Sequence, residues 1–263
     1  KSMASATDVE LEAGYGLIFP GAFALLARKH MEEFGSTAED LAAISAKNHS
    51  HGLLNPNAQY KEACTIEEVL NSRMIADPLH LLDCCPISDG AAAVVLCPAE
   101  KARKYTDKPI HVAASVMTTG EYRQDNDLCG FPVNERGAAQ AYEMAAIGPE
   151  DIDLAEVHDC FSIAELVHYE DLGFCEKGEG PRLIRERSTE LGGRIPVNVS
   201  GGLLAKGHPV GATGVAQLVE ISTHLRGLAG KRQVEGAKVG LTHCNGGFMQ
   251  GEPCVCTINI LKN

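Results

Sequence analysis

Apolar side chains recur at helical spacing in the first third of the chain. Between residues 20 and 34 they are Phe23, Leu26, Ala27, Met31 and Phe34. Gly35 follows this run and is predicted to end the helix, since glycine adopts the backbone angles that a helix C-terminus needs. Farther on, Thr65 and Glu68 have the spacing of a capping box and predict the start of another helix. Up to about residue 82, the pattern therefore indicates helices joined by irregular segments.

From about residue 90 the pattern changes to an alternation of apolar strands and amphipathic helices. The predicted strands cover residues 91–97, 110–117, 152–157, 195–199, 239–243 and 253–260. Two predicted helices cover residues 98–105 and 134–146. A third is opened by the capping pattern of Ser162 and Glu165 and ended by Gly173, and a fourth carries Val215, Leu218, Val219 and Leu225. Such alternation predicts an α/β fold, in which helices cover a sheet.

Composition and charge narrow the class of protein. The 263 residues are 44% hydrophobic, which is enough for the core of one large domain or two modest ones. A formal net charge of -12 argues against a nucleic-acid partner, because a phosphate backbone is bound by a concentrated basic surface. No stretch has the length and apolarity of a membrane span or the pattern of a signal peptide.

Cysteine usage indicates the redox environment. The chain contains ten cysteines, and none of them belongs to a Cys-x-x-Cys pair. This spacing argues against a zinc ribbon and a thioredoxin-type pair, so we expect no metal site. Free and mostly buried thiols are typical of a reducing compartment. We therefore expect a cytoplasmic protein, or a peroxisomal one in a eukaryote.

Three short polar segments each follow a predicted strand. They are residues 158–161 (His-Asp-Cys-Phe), 207–209 (Gly-His-Pro) and 243–247 (His-Cys-Asn-Gly-Gly). A single histidine or cysteine in such a place is more often structural than catalytic. Ligands, however, bind at the carboxyl ends of strands in α/β sheets, and three such segments together favour a functional site. We expect His158, Cys160, His208 and Cys244 to face one pocket, with the histidine of the glycine-rich loop 201–214 as its first candidate for chemistry.

These segments resemble the C-terminal motifs of the thiolase superfamily. The resemblance rests on His-Asp-Cys-Phe at 158–161, Gly-His-Pro-Val-Gly-Ala-Thr-Gly at 207–214 and Cys-Asn-Gly-Gly at 244–247. It continues upstream through Asn48-His49, Asn55-Pro56 with Gln59, and Ser88-Asp89-Gly90. The first motif is most similar to the sterol-carrier-protein type of thiolase. The resemblance implies a layered αβαβα thiolase fold, with the loop domain at 1–88, the last strand and helix of the N-terminal half at 89–108, and the C-terminal domain at 109–263.

The resemblance also implies a role for each motif residue in acyl transfer. His208 would activate a nucleophilic cysteine as a general base. Cys244 would move a proton at the carbon next to the thioester, and the Gly246 N–H would stabilise the oxyanion. His158 would polarise the thioester oxygen. In some sterol-carrier-type enzymes the His-Asp-Cys-Phe cysteine moves the proton instead, so Cys160 is a second candidate for that role.

The acylated cysteine of thiolases has no recognisable counterpart among these residues. Cys64, Cys84 and Cys85 lack the small-residue context that the family shows around its nucleophile. The expectation is therefore a chain with the base, the proton shuttle and one oxyanion donor, but without the nucleophile. It would be a truncated thiolase, a subunit whose partner carries the nucleophile, or a thiolase-like aldolase; a non-catalytic subunit that binds coenzyme A is a further alternative.

Ligands and partners follow from the same resemblance. Acyl-CoA and CoA are expected as substrates, with no tightly bound cofactor and no metal. Ser88, His30 and Met31 would line the path of coenzyme A, although His30 could instead cap the last turn of its helix. Thiolases form homo-oligomers, so a dimer or tetramer is expected. Some relatives of this type also work with a small zinc-ribbon and OB-fold partner subunit.

Overall fold

Helices joined by short connections form the first part of the chain in the computed structural model, which describes residues 6–121 and 128–263. They are α1 (Phe19–Phe34), α2 (Ala38–Leu53) and α3 (Ile66–Asn71), followed by a hairpin of β1 (Met74–Ala76) and β2 (Leu79–His80). Gly35 ends α1 in the left-handed conformation, as predicted. Thr65 and Glu68 form the predicted capping box at the start of α3. The helical pattern of this part is thus confirmed.

A four-stranded sheet in the order β3, β6, β5, β4 organises the second part. Its strands are β3 (His111–Thr119), β4 (Leu154–Glu156), β5 (Val239–Gly246) and β6 (Val255–Lys262). β4 runs parallel to β5, with Leu154 opposite Gly240, and the other neighbours are antiparallel. Because β4 and β5 are parallel, the segments that follow their carboxyl ends emerge at the same edge of the sheet.

Helices pack on both faces of this sheet, which confirms the predicted α/β fold. The helices of this part are α4 (Ala99–Ala102), α5 (Pro132–Ala145), α6 (Ser162–Asp171), α7 (Gly180–Arg185) and α8 (Thr213–Leu225). Alternate residues of β6 enter two different cores: Ile258 and Ile260 belong to the core that contains Ala141 of α5, and Leu261 to the core that contains Ile221 of α8. Among the described helices, none is long and apolar enough to cross a membrane.

Residues 91–97 do not form the predicted strand, so the strand expected within 89–108 is a correction. Val95 is 97% exposed and Leu96 is 76% exposed. An extended segment needs a neighbouring strand to satisfy its backbone groups. In the ranges 6–121 and 128–263, no strand pairs with this segment. The helix predicted at 98–105 is confirmed only as the single turn of α4.

The strand predicted at 195–199 is also wrong. This segment makes a single parallel bridge, between Val197 and Ala155. Asn198 has a positive φ of 55°, and this left-handed conformation ends the extended backbone after the bridge. The segment therefore contacts the edge of β4 without extending the sheet along its length.

The capping box predicted for α6 does not form. Phe161 occupies the N-cap position, and no side chain caps the helix. Ser162 instead donates its hydroxyl to Asp83 Oδ1 at 2.8 Å, and the Glu165 carboxylate contacts the buried Lys47 ammonium. Both side chains therefore bind partners that are distant in sequence and do not cap the start of the helix.

Candidate active site

All five residues proposed for catalysis line one cavity of about 220 Å³. They are His158, Cys160, His208, Cys244 and Gly246. The first two follow β4, the last two lie at the end of the parallel strand β5, and His208 comes from the loop that precedes α8. The structure therefore brings together the three polar segments that were predicted to face one pocket.

Aromatic rings form the apolar wall of this cavity. Phe19, Phe23, Phe161 and Phe248 line it, and the rings of Phe23 and Phe161 are stacked with their centroids 4.7 Å apart. A second apolar cavity of about 320 Å³ shares Phe19, Phe161 and His208 with the first. Polar groups thus occupy one side of the site, and an apolar surface suited to a hydrocarbon group occupies the other.

Asp159 holds the loop that carries His208. Its carboxylate accepts the N–H groups of Leu203 at 2.7 Å and Leu204 at 3.3 Å. Gly202 precedes these donors with a φ of 59°, and a Cβ at this position would overlap the carboxylate. Only glycine combines that conformation with such a close approach. The residue next to His158 therefore fixes the start of the loop on which His208 lies.

A buried polar network extends from Asp159 into α2. Asn48 donates its side-chain N–H groups to Asp159 Oδ2 at 2.8 Å and to Glu165 Oε2 at 2.6 Å. Lys47 contacts the other oxygen of Glu165 and donates to the Val197 carbonyl at 2.9 Å. Burial by itself would raise the pKa of Glu165, but the Lys47 ammonium and the hydrogen bonds hold it below its ordinary value. The same burial, together with the Glu165 charge, raises the pKa of Asp159 well above its ordinary value.

His208 is held from two sides and is neutral at neutral pH. Its backbone N–H donates to Ser88 Oγ at 3.1 Å, and its Nδ1 lies 2.7 Å from Thr213 Oγ1. Burial, with a smaller contribution from the Lys206 charge, lowers the pKa of the imidazole to about 4. Gly207 has a φ of 107°, and a Cβ there would overlap Ser88 Oγ. A neutral imidazole can accept a proton, which is the property that a general base requires.

His158 connects His208 with Cys244. The two histidine rings meet edge to face with their centroids 5.0 Å apart, and His158 Nδ1 lies 3.4 Å from Cys244 Sγ. Burial, with a smaller effect of the neighbouring imidazoles of His208 and His168, holds the pKa of His158 well below its ordinary value. His158 is therefore neutral, and its Nδ1 is the ring nitrogen that faces the Cys244 thiol.

The two candidate proton shuttles differ in their surroundings. Burial raises the pKa of Cys244 to about 11, and the Lys206 charge opposes this rise. Burial, with the neighbouring Cys85 and Asp159, raises the pKa of Cys160 well above its ordinary value. Both thiols are protonated at neutral pH, but only Cys244 has a contact with a ring nitrogen of the predicted site.

Two further histidines contact the backbone of His158, and neither was among the residues predicted for the site. His168 Nε2 lies 3.2 Å from the His158 carbonyl oxygen, and His243 Nδ1 accepts the His158 backbone N–H at 3.4 Å. The rings of His168 and His243 lie with their centroids 4.3 Å apart. His243 immediately precedes Cys244 and could have been noticed from that position, whereas nothing in the sequence around His168 indicates its contact.

The residues expected along the coenzyme A path are separated in the structure. Ser88 lies beside His208 and lines a cavity of about 830 Å³ together with Lys206. His30 is fully buried instead, with Nδ1 3.0 Å from Ser36 Oγ and Nε2 3.2 Å from Glu170 Oε1. Met31 packs against the hydrophobic core. The structure thus brings Ser88 to the site, but it does not bring His30 or Met31 there.

Metal ligands are the remaining question about the chemistry of the site. Across residues 6–121 and 128–263, no group of three or more histidine, cysteine or carboxylate side chains is arranged to hold a metal ion. All ten cysteines are free thiols. The chemistry that this arrangement can support is proton transfer and polarisation by neutral imidazoles and thiols beside an apolar surface.

Comparison with known proteins relates this site to a family. The family model "Thiolase C-terminal domain-like" matches residues 114–258. The chain is 53% identical over 248 residues to an acetyl-CoA acetyltransferase of Methanothermobacter thermautotrophicus, covering 94% of this chain and 65% of that protein. It is 44% identical over 240 residues to sterol carrier protein 2 of Bos taurus, covering 87% of this chain and 44% of that protein. The chain therefore spans less than two thirds of the length of either relative.

A solved structure gives a similar result. The chain is similar to the Ltp2-ChsH2(DUF35) aldolase, with a TM-score of 0.81 and 29% sequence identity. This match covers 94% of the chain and 65% of the solved chain. The fold is therefore shared over nearly the whole of the sequence.

Proposed function

The chain belongs to the thiolase family, and from this premise we propose that it is part of an acyltransferase acting on CoA thioesters. The reaction would be the thiolytic cleavage of a 3-oxoacyl-CoA by CoA. In the opposite direction it would be the Claisen condensation of two acyl-CoA molecules. The observation that carries this proposal is the meeting of His208, His158, Cys244 and Gly246 around one cavity with an apolar wall.

His208 is the proposed general base. With a pKa of about 4 it is unprotonated at neutral pH and can take the proton of a cysteine thiol. The thiolate would attack the 3-oxo carbon of the substrate, and the bond between carbons 2 and 3 would break. The acyl chain from carbon 3 onward would then remain on that cysteine as a thioester, and the fragment of carbons 1 and 2, still bound to CoA, would leave as the enolate of acetyl-CoA. The acylated cysteine is proposed to lie outside these 263 residues, because none of the cysteines here matches the family's nucleophile.

Cys244 is the proposed proton donor to that enolate. Its pKa of about 11 keeps the thiol protonated, and its proton is available to the carbon next to the thioester. The thiol of the incoming CoA would return a proton to Cys244 as it attacks the acyl-cysteine. Because the Cys244 S–H can donate to His158 Nδ1, the Nε2 of His158 would carry a hydrogen and polarise the thioester oxygen. The Gly246 N–H would donate a second hydrogen bond to the same thioester oxygen when that oxygen carries negative charge.

Acyl-CoA and CoA are the proposed partners, and Ser88 is proposed to contact coenzyme A beside His208. We also propose a homo-oligomer, a dimer or a tetramer, with a small zinc-ribbon and OB-fold subunit as a further partner. The similar aldolase is named for two components, Ltp2 and ChsH2(DUF35), which supports a second subunit. The ten free thiols fit a cytoplasmic location.

Exchange of the α-protons of acetyl-CoA in D2O tests the proton shuttle in the full-length protein. We expect Cys244→Ala to slow the exchange by about 100-fold or more, since general acid and base groups contribute about 10²–10⁴-fold. Cys160→Ala should change it by less than about threefold, and Cys175→Ala removes a half-buried thiol elsewhere as a control. If only Cys160→Ala abolishes exchange, the shuttle is Cys160. If neither variant slows it, Cys244 has no role in proton transfer.

A thiolase-like aldolase is the second candidate, and the 29% identity to the Ltp2-ChsH2(DUF35) aldolase is the observation that favours it. An aldolase would cleave a 3-hydroxyacyl-CoA to a carbonyl compound and an acyl-CoA without an acyl-cysteine. The two activities differ in their need for free CoA. Thiolysis of acetoacetyl-CoA should therefore require CoA, whereas cleavage of a 3-hydroxyacyl-CoA without CoA would favour the aldolase.

A further inference from the structure

Thr213, the first residue of α8, contacts the proposed base through its hydroxyl group. Thr213 Oγ1 lies 2.7 Å from His208 Nδ1 and donates a hydrogen bond to the Pro209 carbonyl at 3.1 Å. The side chain is fully buried, so water does not compete for these bonds. The hydroxyl therefore lies between a ring nitrogen of His208 and a backbone acceptor of the same loop.

A hydroxyl group has one hydrogen to donate, and its oxygen can accept two hydrogen bonds. When the Thr213 hydrogen is directed to the Pro209 carbonyl, the oxygen can only accept from His208 Nδ1, which must then carry the ring hydrogen. We propose that Thr213 is a positioning residue that fixes His208 in the tautomer with hydrogen on Nδ1 and a lone pair on Nε2. This inference rests on the proposed role of His208 as the base.

The tautomer matters because His208 is neutral. A neutral imidazole has one donor nitrogen and one acceptor nitrogen, and only the acceptor can take a proton from a thiol. Nδ1 is occupied by Thr213, so Nε2 is the nitrogen left for the cavity that His208 lines. With hydrogen on Nε2 instead, the ring would present a donor to the thiol and could not act as its base.

His158 requires the opposite assignment at the same cavity. Its Nδ1 faces Cys244 Sγ at 3.4 Å and would accept the S–H, which places the ring hydrogen on Nε2. The two neighbouring imidazoles would therefore present different groups, a lone pair on His208 and an N–H on His158. The contact of His208 with Thr213 and that of His158 with Cys244 would set these two different tautomers.

The opposite direction of the Thr213 bond is the competing arrangement. The Pro209 carbonyl also accepts the backbone N–H of Ala212 at 2.8 Å and that of Thr213 at 3.0 Å. If these two donors exclude the hydroxyl, Thr213 would donate to Nδ1 and place the ring hydrogen on Nε2. The test must therefore observe the tautomer directly as well as the activity.

Imidazole 15N resonances of the full-length, [15N]histidine-labelled protein report the tautomer, because a protonated and an unprotonated ring nitrogen resonate far apart. His208 is assigned as the signal that disappears in His208→Asn. We expect hydrogen on Nδ1 in the wild type and in Thr213→Ser, and a changed tautomer distribution in Thr213→Val. Hydrogen on Nε2 in the wild type overturns the proposal, as does a Thr213→Val spectrum identical to that of the wild type.

Kinetics provide the second readout. We expect Thr213→Val to lower kcat by at least about tenfold with KM within about threefold, since a catalytic histidine in the wrong tautomer can lose up to about 10⁴ in kcat. Thr213→Ser should retain kcat within about threefold. Thr223→Val is the matched control, because Thr223 lies on the same helix and its hydroxyl makes the same bond to the carbonyl four residues back, at 2.7 Å. Equal losses in Thr213→Val and Thr223→Val would indicate a general effect on the helix and contradict the proposal.

The two readouts separate this inference from the proposed function. If the full-length protein has no thiolase activity, the 15N spectra still decide whether Thr213 sets the tautomer. If the activity is present and His208 carries its hydrogen on Nε2, only the inference fails. Thermal unfolding of Thr213→Val beside the wild type confirms that the spectra come from folded protein.

Discussion

Replacing Glu165 with alanine is expected to destabilise the protein strongly, because this carboxylate is the centre of a buried network. Its oxygens accept hydrogen bonds from Asn48 at 2.6 Å and Asn198 at 2.7 Å, and they also contact Lys47 and the Tyr169 hydroxyl. The side chains of Glu165 and Lys47 are 0% and 5% exposed. The Glu165→Ala variant would leave the buried Lys47 ammonium with the Val197 carbonyl as its remaining acceptor in the described part of the chain.

The magnitude follows from the loss of one partner of a buried ion pair. Breaking such a pair costs about 3–5 kcal/mol, because the remaining charge is uncompensated. A loss of about 3 kcal/mol in a domain of this size lowers Tm by about 6–12 °C. The two amide groups that lose their acceptor add to this cost wherever water does not replace the carboxylate.

Urea unfolding of the full-length protein at pH 7 measures this loss as a change in the free energy of unfolding. Glu33→Ala is the control, since Glu33 pairs with Lys29 at 3.0 Å on the exposed surface of α1. Exposed pairs of this spacing contribute little to stability because water screens them, so Glu33→Ala should change the free energy of unfolding far less than Glu165→Ala. The combined Lys47→Met and Glu165→Met variant should recover part of the loss by removing both charges. A change below about 1 kcal/mol for Glu165→Ala would refute the importance of the network.

The pH dependence of the same difference supplies a second criterion. The pKa of Glu165 is below its ordinary value of 4.5 in the folded protein. Burial raises this pKa, but Lys47 and the hydrogen bonds lower it by more than burial raises it. Its contribution to stability is therefore complete above the unfolded pKa and is lost as the pH falls through the folded pKa. The difference between the wild type and Glu165→Ala should shrink as the pH falls below 4.5.

Two further predictions concern the loop and a second buried histidine. Gly202→Ala should destabilise the protein by about 2 kcal/mol or more in thermal unfolding, because its Cβ would overlap Asp159. Gly192 also has a positive φ, but a Cβ there would meet no neighbouring atom, so Gly192→Ala measures the backbone strain alone. Equal losses of stability in Gly192→Ala and Gly202→Ala would contradict an effect of the overlap. Burial, together with Lys47, lowers the pKa of His51 to about 4, and its Nε2 accepts the Leu191 N–H at 3.0 Å. Stability should fall by up to about 3 kcal/mol from this residue as the pH drops from 6.5 to 4, and His51→Gln should flatten that dependence; an unchanged profile would contradict it.

The positions of the site residues could be predicted because they depend on sheet topology. His158 follows β4 and Cys244 lies near the end of β5, and these strands are parallel neighbours. Two segments that are more than 80 residues apart in the chain therefore meet at one edge, with a contact of 3.4 Å. The alternation of strands and helices is enough to predict this meeting without knowledge of the side-chain contacts.

Features that depend on specific distant contacts could not be predicted from the sequence. Glu165 has the spacing of a capping residue, but its charge is stabilised by Lys47, 118 positions away. The apolar residues 91–97 have the composition of a strand, yet among the described residues they have no strand to pair with. His168 carries no motif, and its contact with the His158 carbonyl appears only when α6 packs against the end of β4. In each case the local sequence is compatible with more than one structure, and contacts with residues distant in the chain determine which one forms.

The run 158–161 explains why the proposed base His208 and the proposed proton shuttle Cys244 occupy fixed relative positions. His158 contacts Cys244, while the next residue, Asp159, accepts the N–H groups that start the His208 loop. Two consecutive residues thus supply the ring that contacts the Cys244 thiol and the carboxylate that anchors the loop of the proposed base. Asn48 joins this anchor to Glu165, so the position of His208 also depends on the packing of α2 against α6. A substitution at Glu165 should for this reason lower kcat in the molecules that remain folded, because displacement of a catalytic group by about 1 Å costs about 10²-fold.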